Sequence, residues 1–257
     1  MGLWFVILYL ILYIFHAFRR EIEFLVLVKW LNQQPLTIVH RQLLQKSSNF
    51  YSQLSVEDKL KYDFRIRRFI NYKEFIPRGL KEVSDEMKVL ISSSAIQLSF
   101  GFNRFDFPSF EKIIVYNNDY YSTFNKQYHA GEVNPGFRLI VLSWTTFMKG
   151  IDDLTDGINL GIHEMAHALR LENIMAHSPI DDFSNSELRV WNLLVNTELE
   201  KPASERSNFL RARAYVNSHE FFSVCVENLF ERTDEFEETE PALFYAILNL
   251  LKLNRYF

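Results

Sequence analysis

Gly161 to Asn173 reads G-I-H-E-M-A-H-A-L-R-L-E-N, and its H-E-x-x-H core constrains this chain more than any other stretch. Residues four apart share one helix face, with Cβ atoms about 5–6 Å apart. The imidazoles of His163 and His167 can therefore reach one Zn2+ at about 2.0–2.1 Å. Glu164 follows the first histidine and projects beside such a metal, where a carboxylate can take a proton from a zinc-activated water. That division of labour is the signature of a metallohydrolase. A histidine pair on a helix can also be hydrogen-bonded in a core, but the uncharged neighbours Met165, Ala166, Ala168 and Leu169 suit a buried active-site helix. The pattern predicts a helix from Ile158 to Leu171 with Thr155 or Asp156 as N-cap.

The chain's 257 residues allow one large domain or two small ones. Hydrophobic residues make up 48% and aromatics 16%, with 24 Phe, a composition that packs rather than one that stays disordered. A formal charge of -4 and a pI near 6.0 provide no basic field, and no zinc knuckle or phosphate loop accompanies them. These features argue against nucleic acid as a ligand. The single cysteine, Cys225, excludes an internal disulfide and, set between Val224 and Val226, reads as a small core residue.

Leu3 to Phe15 is an unbroken apolar run, extended through Phe18 to Arg19 and Arg20. From Leu3 to Phe18 a helix spans about 24 Å, short of the roughly 30 Å hydrocarbon core. Snorkelling arginines or local thinning make up the difference. The charge follows the run and no A-x-A site is present, so the stretch reads as an uncleaved anchor rather than a signal peptide. Arg19 and Arg20 favour a cytoplasmic location for the rest of the chain. The division that results is an anchor over 1–20, a juxtamembrane helix or linker over 21–48, and a folded domain over 49–257.

Within that domain, Phe50 to Ile70 and Lys81 to Phe100 have helical patterns. Lys112 to Tyr116 and Phe137 to Trp144 read as strands, and Asn117 to Gly136 between them as a surface loop. In zinc peptidases of the H-E-x-x-H type a sheet edge commonly holds the substrate as an added strand, and Leu139 to Ser143 is the candidate. Glu187 to Leu199, His219 to Phe230 and Pro241 to Leu253 read as further helices.

Catalytic zinc takes three protein ligands as a rule. The metzincin pattern needs Gly and His where this chain has Arg170 and Asn173, so that class is excluded. A glutamate from a downstream helix is the other standard solution, and Glu220 and Glu227 are the candidates inside an apolar stretch where unpaired carboxylates are costly. Seven residues place them on one face about 10.5 Å apart, so only one of them can be a ligand.

The chain resembles the Mlc titration factor A (MtfA) family of zinc-dependent peptidases, with a gluzincin-like site of H-E-x-x-H plus Glu. The resemblance lies in Phe50-Tyr51-Ser52-Gln53-Leu54-Ser55, in Val141-Leu142-Ser143-Trp144, in the motif helix with Leu169 and Glu172, and in Asn217 to Val224 followed by Glu227, Phe230 and Glu231. It implies His163, His167 and Glu220 as zinc ligands and Glu164 as base. Family members typically carry Tyr seven residues before the ligand Glu, a candidate donor to the developing oxyanion. Arg213 stands there in this chain and Tyr215 is the nearest tyrosine, so these two are the candidate donors. Described relatives are soluble and bind a glucose-responsive repressor, a partner not carried over to a chain that starts with an apparent anchor.

The sequence thus predicts an α+β fold, a mainly helical zincin-like domain with a small sheet behind an N-terminal transmembrane helix. The predicted function is hydrolysis of peptide bonds in a peptide or protein substrate by a zinc-activated water. The rival is a non-catalytic regulatory protein that sequesters a partner such as a transcriptional regulator and keeps zinc structurally. An intact Glu164 favours chemistry, because a structural site has no use for a base.

Overall fold

The computed structural model describes residues 36–122, 126–175 and 183–257. The expected anchor over 1–20 and the first part of the juxtamembrane stretch lie outside these residues. Among the described residues, no helix is long and apolar enough to cross a membrane. The fold is mainly helical with a small sheet, an α+β arrangement.

Ten helices, α1 to α10, are described, and short polar side chains start many of them. Ser48, which follows α1 (Ile38–Ser47), caps α2 (Asn49–Gln53), and Ser55 caps α3 (Val56–Tyr72) by accepting from Asp58 N. Ser84 does the same for α4 (Asp85–Leu98). Such caps satisfy N–H groups that have no partner inside the helix. From Met87 onward α4 is buried apart from Lys88, which makes it the central rod of the core. Helix α1 falls in the stretch expected as juxtamembrane, yet it packs on α4 with Leu44 fully buried, and Arg41 Nε lies 2.7 Å from Asp63 Oδ2.

The main sheet has the order β1-β2-β6-β5. Strands β1 (Glu74–Arg78), β2 (Lys112–Tyr116) and β6 (Leu139–Ser143) run parallel, and β5 (Gly131–Asn134) pairs antiparallel with β6. A separate hairpin joins β3 (Tyr120–Ser122) to β4 (Gln127–His129). The stretch from Asn117 to Gly136, expected as a loop, therefore carries three short strands. Leu139 to Ser143 is not a sheet edge: β2 covers one side and β5 the other, and Ile140 to Ser143 are buried as in an interior strand. The edge is β5.

After β6 the chain continues through α5 (Trp144–Asp152), α6 (Leu160–Met175), α7 (Asn185–Glu200), α8 (Ser218–Glu231), α9 (Thr233–Thr239) and α10 (Pro241–Leu250). Helix α6 carries the H-E-x-x-H residues and packs along α8, α4 and α5. Its close fit requires Gly161, where a Cβ would lie 2.4 Å from the Phe147 ring and 2.5 Å from Ser94 Oγ. Cys225 is buried in α8.

Candidate metal centre

The N-terminus of α6 is set by Asn159, whose Oδ1 accepts from Ile162 N at 3.0 Å, while His163 N reaches Asn159 O at 2.9 Å. The cap is thus neither Thr155 nor Asp156; the loop before the helix runs further than the hydrophobic pattern suggested, with Gly157 at φ +72. Asn159 Nδ2 donates to Gly150 O at 3.0 Å and to Glu231 Oε1 at 2.9 Å, so the cap itself is tied to α5 and α8.

On the opposing helix Asn217 is the N-cap of α8, accepting from His219 N at 2.9 Å and from Glu220 N at 3.0 Å. This fixes Glu220 in the first turn, across from the two histidines. His163 Nε2 lies 3.1 Å from His167 Nε2 and 3.2 Å from Glu220 Oε2, and His167 Nε2 lies 3.5 Å from Glu220 Oε1. Three donors at about 2.05 Å from a tetrahedral ion stand roughly 3.3 Å apart. The cluster therefore fits a single small divalent cation, and His163, His167 and Glu220 form a group able to hold a metal.

The outer nitrogen of each imidazole has its own partner. His163 Nδ1 lies 3.0 Å from Glu227 Oε2, and His167 Nδ1 lies 3.2 Å from Ser223 Oγ. Glu227, almost wholly buried, accepts also from Asn159 N at 2.8 Å and from Arg211 Nη2 at 2.6 Å. Arg211 Nη1 donates to Gly157 O at 2.6 Å. Partners of this kind fix the tautomer and aim of a ligand histidine.

Neither Arg211 nor Ser223 stands out in the sequence. Arg211 lies outside both helices it braces, 54 residues from Gly157 and 16 from Glu227, and Ser223 is one polar residue in an apolar helix. The helical period of α8, which puts Ser223 three residues after Glu220 and on the same face, was the one available signal.

Charge follows this geometry. Although burial favours its neutral form, hydrogen bonds from His163, His167 and Arg213 hold the Glu220 carboxyl far below the usual carboxylate range. Burial pushes the Glu164 carboxyl up, against the pull of His163, His167 and Arg213. Glu164 sits close under β5: a Cβ on Gly131 would come within 2.5 Å of Glu164 Oε1. A cavity of about 290 Å3 borders this point, with Gly131, His163, Glu164, Arg211 and Arg213 in its wall.

The two expected oxyanion donors part company. Arg213 grips Glu220 with both ends of its guanidinium, Nε to Oε2 at 2.6 Å and Nη2 to Oε1 at 3.2 Å, and borders the cavity. Tyr215 does not line it. Its hydroxyl accepts from Ser207 N at 3.1 Å and its ring packs edge-on against Phe221, because the short 3-10 turn Ala212–Val216 directs it away.

An H-E-x-x-H helix, a carboxylate from a second helix and a sheet edge over the intervening glutamate define a protein of the gluzincin-like metal-site class. The chain belongs to the glucose-regulated metallo-peptidase M90 family, whose model matches residues 19–251. This is the MtfA family that the sequence motifs resembled. The chain is also similar to the uncharacterized protein slr2042 of Synechocystis, at 24% identity over 234 residues that cover 85% of each chain.

Proposed function

We propose that this chain is a zinc-dependent metallopeptidase in which His163, His167 and Glu220 hold Zn2+ and Glu164 is the general base. The observation that carries this reading is that Glu164, buried on the helix of the two histidines, borders the same cavity as His163 and edge strand β5. Bound Zn2+ supplies Lewis acidity at the scissile carbonyl.

Glu164 takes a proton from the attacking water and passes it to the leaving amine, and its burial makes the carboxylate a stronger base. Glu227 and Ser223 hold the imidazoles so that their Nε2 atoms face Glu220. Arg213 fixes the Glu220 carboxylate and, at the cavity wall, is the donor available to the negative charge that develops on the carbonyl oxygen. Strand β5 has no outer strand partner among the described residues, and its main chain can hold an extended peptide over Glu164.

Zinc content measured together with turnover of a broad peptide library tests the reading. The expected result is about one equivalent of zinc and hydrolysis that a chelator stops and Zn2+ restores. A zinc-replete protein that cleaves nothing would instead favour the non-catalytic regulator that binds a protein partner.

The apolar run Leu3 to Phe18 ends where the family match begins. We assign it as a single-pass membrane anchor, with the catalytic domain on the cytoplasmic side. The full chain should resist alkaline carbonate extraction from membranes; release by carbonate would remove the anchor.

A further inference from the structure

Most of the polar side chains in the wall of the cavity beside Glu164 are already engaged. Arg211 is held by Gly157 O and Glu227, Glu227 by three donors, and Arg213 by both oxygens of Glu220. Besides His129 and Glu164, the wall offers three large apolar side chains. Tyr128 is 74% exposed, Ile158 is 55% exposed and Leu160 is half-buried, and all three line this cavity of about 290 Å3. Single exposed apolar residues are ordinary, but three sharing one concave site with the candidate base Glu164 and the candidate ligand His163 mark a binding surface.

The backbone keeps these side chains in place. Ile158 N donates to Asp156 Oδ1 at 2.8 Å, and the residues on either side are tied down, Gly157 O by Arg211 and Asn159 N by Glu227. Leu160 is the first residue of α6. The Tyr128 ring is braced edge-on by Tyr121 across the β3–β4 hairpin, with centroids 5.4 Å apart.

We propose that Tyr128, Ile158 and Leu160 form a specificity subsite for a large apolar side chain next to the scissile bond. The preferred substrates are then peptides with a Leu- or Phe-like residue there. The inference rests on the metallopeptidase reading for the bond that is cut, though not for the binding preference. Removing apolar bulk from a ligand for such a pocket lowers affinity by about 10- to 200-fold.

The test is calorimetric titration of the zinc-loaded, detergent-solubilised full chain with the hydroxamates of leucine, glycine and aspartate, which share one chelating group. Leucine hydroxamate should bind at least about tenfold more tightly than the other two. Tyr128→Ser and Ile158→Ser should each shrink the leucine-to-glycine ratio by about three- to tenfold while zinc content stays the same.

Leucine and glycine affinities within about twofold, tighter binding of the aspartate compound through Arg213, no binding of the leucine compound, or an unchanged ratio in both variants would overturn the subsite. Peptide hydrolysis is scored separately. Selective binding of leucine hydroxamate without cleavage of any peptide would keep the subsite and remove the peptidase reading.

Discussion

Glu227 Oε2 accepts a hydrogen bond from His163 Nδ1 across 3.0 Å, and the same oxygen takes Arg211 Nη2 at 2.6 Å. A carboxylate can only accept, so Glu227 holds a proton at His163 Nδ1 and leaves Nε2 as the nitrogen that would turn to a metal shared with His167 and Glu220. The two acids of α8 thereby take different parts, Glu220 at the donor cluster and Glu227 behind it. Glu220→Ala should lose most of the zinc and all turnover. Glu227→Ala should keep a zinc site weakened by about 10- to 100-fold. Metal titration of both variants decides between them, and a zinc-replete Glu220→Ala beside an empty Glu227→Ala would reverse the roles.

Arg211 is the cation that faces the buried Glu227 charge, with its own side chain about a quarter exposed. Breaking a buried pair by removing one partner costs about 3–5 kcal/mol, and partial exposure lowers the expectation for Arg211→Met to about 2–3 kcal/mol. Urea denaturation measures it. A loss under about 0.5 kcal/mol, the ordinary range for surface changes, would mean that the pair does not hold this end of the site together.

Gly131 brings the β5 backbone against Glu164, where a Cβ would lie 2.5 Å from Oε1 and 2.6 Å from Cδ. Gly131→Ala must displace either the edge strand or the proposed base. Misplacing a reacting group by about 1 Å can cost about 100-fold in rate. Turnover in this variant should fall by that order while zinc content holds, since neither histidine nor Glu220 is touched. Near wild-type turnover would show that Glu164 does not need its present position.

What the sequence made legible was local. The i, i+4 histidines needed only a helix to meet, and the apolar runs of β2 and of α8 marked those elements wherever their partners lay. Strands β1 and β5 were not visible, because five or fewer residues such as G-E-V-N carry almost no period and gain strand form from pairing with β2 and β6. The same lack of local signal hid Arg211, whose carboxylate partner is 16 residues away, and Asn159, whose capping role depends on Gly150 and Glu231. Tyr215 was a candidate only as the tyrosine nearest the position that Arg213 occupies, and the 3-10 turn that contains it points its hydroxyl to Ser207.

Glu231 yields a prediction in pH. Burial, with the Glu227 charge nearby, raises its carboxyl from 4.5 to about 8 against the hydrogen bond from Asn159. Between these values the folded chain keeps a proton that the unfolded chain releases, so stability should fall as pH rises through that window. Glu231→Gln preserves an acceptor for Asn159 and removes the titration. Urea midpoints at about pH 5 and pH 8 should therefore drop more in the wild type than in Glu231→Gln, and parallel pH dependences would place the Glu231 pKa near its ordinary value.

The central claim is that Glu164 moves the proton while His163, His167 and Glu220 hold the metal. Glu164→Gln changes a carboxylate to an amide of nearly the same shape and leaves all three donors in place. Zinc content and peptide turnover, measured on one purified preparation of this variant, test the claim most directly. The account predicts zinc near one equivalent with hydrolysis abolished; turnover at the wild-type rate in the zinc-loaded variant would contradict it.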